Sequence, residues 1–178
     1  FYPSQIGFFN PLLVVIFIPV VSGIIYPFLR KRIKLTYIKR ISIGLFITGL
    51  SFFTIYYIQI RLDNGIETSI LLQILAYVFL TFGEIFVSIT ALEFSYTQAP
   101  NKMKSFVLSF YLLSVALGNL IVIVSSIFLV NDNGDLTIPW NHFFLLYTIL
   151  MFVSFVLFSF LFRNYKDKIY VQGSNSLD

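Results

Sequence analysis

Five long apolar runs, each closed by charged or turn-forming residues, organise this sequence: 6–29, 41–60, 70–99, 106–130 and 143–162. An α-helix needs about 20 apolar residues to cross a hydrocarbon core about 30 Å thick, so each run is long enough to span a bilayer. The breaks have identifiable causes. Arg30, Lys31, Arg32, Lys34, Lys39 and Arg40 close the first run. Asp63-Asn64-Gly65 is a turn signal. Pro100 stops the third helix at Ala99, because proline disfavours helical backbone in the residue before it. Asn131-Asp132-Asn133-Gly134-Asp135 separates the fourth run from the fifth, and the chain turns polar from Arg163. The expected organisation is an all-α transmembrane domain over 1–163 and a cytoplasmic tail over 164–178. No 20–50-residue repeat suggests a solenoid.

Composition agrees. Hydrophobic residues make up 58% of the 178 and charged residues 11%, against about 25% charged in soluble domains. The absence of cysteine excludes a disulfide framework, a thiolate metal site and a Cys nucleophile. The net charge of +4 does not call for nucleic acid, because the cations sit in short segments beside apolar runs. Eleven of the twelve Lys and Arg lie on one side: the six after run one, Lys102 and Lys104 after run three, and Arg163, Lys166 and Lys168 after run five. Only Arg61 falls on the other side, with Asp63, Glu67, Asp132 and Asp135. The positive-inside bias places the basic side and the C-terminus in the cytoplasm. Trp140 then marks the outer interface, where amphipathic rings collect. The chain opens at Phe1 with no basic signal region, so the expectation is a fragment whose N-terminus lies upstream.

Two ionisable residues remain inside the runs, Glu84 and Glu93, both in the third. A charge at the bilayer centre costs about 2.5–3.5 kcal/mol on insertion scales, and such residues mark pathways, proton sites or ion pairs. At 1.5 Å per residue from Ile70, Glu84 lies about 21 Å in, near mid-membrane, and Glu93 about 34 Å in, near the cytoplasmic end. Their nine-residue spacing puts them on opposite faces of a regular helix. Thr81, Ser88 and Ser95 share Glu84's side as a polar stripe. A mid-membrane carboxylate on such a stripe suits a substrate or proton site. The competing reading for each is an ion pair, with a basic residue elsewhere for Glu84 and with a cytoplasmic Lys or Arg for Glu93. Gln5, Asn10, Pro11, Pro19 and Pro27 lie in the first run, where the prolines predict kinks. Asn10 can donate and accept hydrogen bonds, or cap the helix ahead of Pro11. In the fourth run Tyr111, Ser114, Gly118 and Ser125 share one face, either as a cavity wall or as a close-packing seam of small residues. His142, the only histidine, is expected in an outer loop. No Walker loop, dinucleotide fingerprint, HExxH or nucleophile elbow appears.

The string Gly83-Glu84-Ile85-Phe86-Val87-Ser88-Ile89-Thr90-Ala91-Leu92-Glu93-Phe94-Ser95-Tyr96-Thr97-Gln98-Ala99-Pro100, followed by Met103-Lys104-Ser105, resembles the tenth helix of eukaryotic proton-coupled oligopeptide transporters. Tyr111-Leu112-Leu113-Ser114-Val115-Ala116-Leu117-Gly118-Asn119 resembles the eleventh, and Gln5 to Pro11 with Ile24-Ile25-Tyr26-Pro27 the eighth. The resemblance implies the major facilitator fold, with helices eight to twelve present and an N-terminal half missing. It implies symport of di- and tripeptides with protons as the coupling ion and no other cofactor or metal. Glu84 would receive the peptide's N-terminal amine, assisted by Asn10, with Tyr111 and Ser114 lining the pocket. Glu93 and Gln5 stand as candidate proton or gate residues. The implied partners are small peptides, protons, the lipid bilayer and the missing half, and the expected location is the plasma membrane. Nitrate or amino acids are the alternative cargo. A non-transport membrane subunit is a further alternative. An intramembrane hydrolase using both glutamates is disfavoured by their separation.

Overall fold

The computed structural model describes residues 3–32, 36–97, 99–129 and 138–165, and among these every regular element is helical. The five spans emerge as expected, but two of them are broken. Span one consists of α1 (Pro3–Val20), a π turn (Val21–Ile25) and α2 (Tyr26–Arg32). Span two is one helix, α3 (Tyr37–Asp63). Span three consists of α4 (Ile70–Glu84), a second π turn (Ile85–Ile89) and α5 (Thr90–Thr97). A 3-10 turn (Asn101–Met103) leads into α6 (Lys104–Leu129), and α7 (Trp140–Leu161) is the fifth span. The turn segment 131–135 and the tail beyond residue 165 lie outside the described residues.

The first π turn sits between Pro19 and Pro27, each of which lacks an amide and clashes with the carbonyl four residues back. Ser22 Oγ donates to the Ile18 carbonyl at 2.6 Å, next to the carbonyl of Pro19. The second π turn has no proline, and its surroundings account for it better. Gly83 and Gly44 let α4 and α3 cross so closely that a Cβ on Gly83 would strike Thr48 Oγ1 and stand 3.1 Å from the Gly44 carbonyl. A Cβ on Gly44 would stand 2.7 Å from Val87 Cγ2 and 2.8 Å from Phe86 Cβ. The wider turn carries Phe86 and Val87 across this crossing. At the outer end, Gly65 takes φ +70, which a glycine adopts without strain, and closes the turn between spans two and three.

α3 is the centre of the bundle, packed against α4 on one side and α7 on the other. Ser51 Oγ donates to the Ala76 carbonyl at 2.7 Å, a buried bond between α3 and α4. Such a bond within a membrane contributes about 0.6–1.7 kcal/mol. α1 lies along α4, with Phe17 stacked on Phe82 at 4.6 Å. The two π turns pack on each other: Val21, Ile85 and Phe86 form a buried cluster ringed by Phe17, Ile25, Tyr26, Ile43 and Phe82. The backbone of α6 runs along α5 and the 3-10 turn, and no residue from Ser105 to Val124 is buried. A 2.9 Å hydrogen bond between Ser125 Oγ and Tyr147 Oη ties it to α7.

Several basic residues assigned to connecting segments prove to be helical, among them Arg30, Lys31 and Arg32 at the end of α2. α3 begins at Tyr37, with Thr36 as N-cap, and so takes in Lys39 and Arg40. α6 begins at Lys104. Arg40 and Lys104 are both buried, their charges set against tyrosine rings. Aliphatic stems let long basic side chains start inside a packed bundle. His142 lies in the first turn of α7 rather than in a loop, exposed, with Nδ1 2.7 Å from Asn141 Oδ1.

Candidate functional site

The elements that converge on the second π turn bring several of the expected site residues together. Glu84 is the last residue of α4, at mid-span and exposed. Ser88, inside the π turn, is also exposed. Tyr111 of α6 donates its hydroxyl to the Ser88 carbonyl at 3.3 Å. A π turn loosens the regular i→i−4 ladder, and here an outside hydroxyl meets one of its carbonyls. Tyr111 therefore docks α6 onto the break in span three.

From that contact, Glu84 lies four residues outward along span three and Ser114 three residues outward along α6. At 1.5 Å per residue both sit about one turn above the Tyr111–Ser88 contact, hence at the same level. Ser114 is exposed, and its hydroxyl donates to the Tyr111 carbonyl at 2.7 Å. One turn further out, a Cβ on Gly118 would meet nothing within 4 Å. The small, polar face of α6 is thus open between its two tyrosine ties, Tyr111–Ser88 and Ser125–Tyr147.

The polar stripe of span three does not survive whole. Thr81 is fully buried and donates to the Tyr77 carbonyl at 2.8 Å, while Glu84, three residues on, is exposed. About 60° of helix rotation separates them, enough to cross the edge of the interface with α3. Below Glu84 the π turn changes the helix phase, so Ser95 is no longer in simple register with it.

Glu93 follows the ion-pair reading. Its carboxylate lies 3.4 Å from Arg40 Nη1, a salt bridge between α5 and α3. It also accepts from Tyr37 Oη at 3.3 Å. Arg40 was not among the expected site residues. A signal for it existed: Arg40, Gly44 and Thr48 recur every four residues, which places Arg40 on the same buried face as the two small residues.

Asn10 lies within α1, but its side chain and that of Gln5 are outside the described residues. The Phe17–Phe82 stack fixes the level of α1 against α4. Asn10 is seven residues outward of Phe17, and Glu84 two residues inward of Phe82. Counted along the helices, their axial separation is about 13 Å. No group of three metal-ligating side chains occurs among the described residues.

Five membrane-long helices around a broken, carboxylate-bearing span define the chain as a multi-pass membrane protein of the major facilitator type. The profile of the POT family matches residues 2–138, and the chain belongs to that family, the one that the span-three string resembles. Among similar proteins, the probable peptide transporter ptr2 of Schizosaccharomyces pombe is 36% identical over 137 residues, which cover 69% of this chain and 22% of that protein. Peptide transporter PTR2 of Saccharomyces cerevisiae is 31% identical over 172 residues, covering 89% of this chain and 28% of that protein. Human solute carrier family 15 member 1 is 42% identical over 94 residues, covering 53% and 12%. A crystal structure described as an auto-inhibited POT family peptide transporter superposes with a TM-score of 0.85 at 32% identity, over 98% of this chain and 36% of that one. The POT family transporter PepTSo superposes with a TM-score of 0.75 at 36% identity, over 93% and 35%. The chain thus spans 22–28% of the length of the two yeast relatives.

Proposed function

We propose that the protein to which this chain belongs carries di- and tripeptides across a membrane together with protons. Glu84 receives the cationic N-terminal amine of the peptide. The observation that carries this reading is the place of Glu84, a mid-span carboxylate exposed at the start of a π turn, within the residues that the POT family profile matches. A carboxylate in low-dielectric surroundings binds a cation more strongly than it does in water. Tyr111 forms the cytoplasmic floor of the pocket and Ser114 its side wall. Asn10, about 13 Å outward along the helices, assists by contacting the bound peptide beyond its amine. The proton is the coupling ion, and alternating access follows from rocking these helices against those of the N-terminal half. Lys/Arg asymmetry favours a cytoplasmic C-terminus, and the plasma membrane is the proposed location.

The test is uptake of a labelled dipeptide by cells making the full-length protein, at mildly acid and at neutral outside pH. Saturable uptake that rises in acid, and that unlabelled tripeptides compete away while nitrate and single amino acids do not, is the expected result. No saturable uptake by a well-expressed protein would overturn the peptide assignment.

A further inference from the structure

Below the paired π turns the chain holds a second charged centre that the substrate reading does not use. The Arg40 side chain is 7% exposed, whereas Glu93, its partner at 3.4 Å, is 46% exposed. The guanidinium carbon lies 4.5 Å from the ring centroid of Tyr26 and 5.4 Å from that of Tyr37. Arg40 Nε is buried with no hydrogen-bond partner. Two further contacts close the cage: Tyr37 Oη to Glu93 at 3.3 Å, and Tyr26 Oη to Thr90 Oγ1 at 3.3 Å. A guanidinium stacks on aromatic faces while its planar fork engages a carboxylate, and a desolvated cation needs both.

These residues come from three elements. Tyr26 opens α2, Tyr37 and Arg40 lie in the first turn of α3, and Thr90 and Glu93 belong to α5. α2 and α5 are the cytoplasmic pieces of the two broken spans, and their breaks touch through Val21, Ile85 and Phe86. α3 passes both breaks as one continuous helix. Arg40 therefore holds two half-helices against an unbroken one, directly beneath the joint where each could bend. α6 packs on α5, and Tyr111 is its tie to the π turn.

We propose that Arg40 is a positioning residue for transport: with Glu93, Tyr26 and Tyr37 it clamps α2 and α5 to α3, and so sets the angle at which α5 and α6 meet α4 below Glu84. The clamp does not touch the substrate. It acts on the step in which the loaded site changes its exposure, not on the affinity of the site. Its geometry is independent of the peptide reading above, but its transport readout rests on that reading.

The experiment uses the full-length protein at measured surface abundance. KM and maximal rate of dipeptide uptake are compared for wild type, Arg40→Gln, Arg40→Lys, Glu93→Gln and Tyr37→Phe. In parallel, Ser95→Cys on α5 supplies the only thiol of this segment, and its labelling by a cytoplasmic maleimide is quantified on the span-three peptide. Per surface molecule, Arg40→Gln and Glu93→Gln should lower the maximal rate about tenfold with KM within threefold of wild type. Arg40→Lys, which keeps the charge, should recover part of the rate. Thiol labelling should rise about fivefold when the clamp is removed. Tyr37→Phe, which deletes one hydroxyl, should fall two- to threefold in rate and decides the matter if the charge variants do not reach the surface. Unchanged rates per molecule and unchanged labelling would overturn the clamp, as would a loss confined to surface abundance. A wild type that carries no dipeptide contradicts the transport reading instead, and the labelling arm then judges the clamp alone.

Discussion

Glu84 and Glu93 are carried by the same span, nine residues apart, on either side of one π turn. Glu84 ends the outer helix, exposed at mid-span and level with Ser114 of α6. Glu93 sits in the inner helix and is tied to a buried arginine and a tyrosine hydroxyl. The two carboxylates teach that charge within a membrane span takes its role from its neighbours, not from its depth alone. A carboxylate with a nearby cation of its own chain holds the structure together. The exposed one, Glu84, is the group to which the proposal gives the peptide amine. The π turn between them lets one span present both groups, because it uncouples the orientation of its outer half from that of its inner half.

Substitutions should separate the two carboxylates in order of size. The largest effect on transport is expected at Glu84. Glu84→Gln removes the charge proposed to meet the amine and should lower dipeptide uptake more than tenfold at unchanged surface abundance, as measured by initial rates. Next comes the crossing that supports both groups. Gly83→Ala places a methyl against Thr48 and the Gly44 carbonyl. Overpacking of this kind costs about 1–3 kcal/mol, and thermal unfolding of the detergent-purified full-length protein should show a lowered midpoint. Glu93→Gln should differ from Glu84→Gln in kind, lowering the maximal rate through the clamp and the stability of the fold rather than through binding of the amine. It leaves the Arg40 guanidinium without its counter-charge, destabilises by about 1–3 kcal/mol and leaves peptide KM nearly unchanged. Thermal unfolding alongside KM separates these effects. A smaller change is expected for Tyr111→Phe. Losing the hydrogen bond to the Ser88 carbonyl costs about 0.5–1.5 kcal/mol and should raise KM a few-fold in the same uptake assay. His142→Ala should change uptake less than twofold, since the ring is exposed and bonded to its neighbour Asn141.

Much of this architecture was legible because hydrocarbon imposes a length rule that a sequence obeys visibly. All five spans, the turn at Gly65 and the stop before Pro100 follow from apolar runs and punctuation. What the pattern concealed was where a span bends. Three prolines signalled a disturbance in span one, but the break in span three has no proline and arises from the contact of Gly83 and Gly44 with their neighbours, a tertiary cause. The same limit hid Arg40 and Lys104. Basic residues next to an apolar run are counted as loop charges, and only packing reveals that their stems begin inside the bundle. Of the candidate site, Glu84, Tyr111 and Ser114 fall at neighbouring levels, while Glu93 belongs to the Arg40 cage. Helix spacing leaves both readings of the α6 face open.

The central claim is that Glu84 recognises the amine of a peptide. The most direct measurement compares uptake of a dipeptide with uptake of the same dipeptide acetylated at its N-terminus, in wild type and in Glu84→Gln. The account predicts that wild type prefers the free amine by tenfold or more, and that the substitution abolishes this preference, leaving both substrates equally poor. A Glu84→Gln protein that still prefers the free amine by the wild-type margin would contradict it.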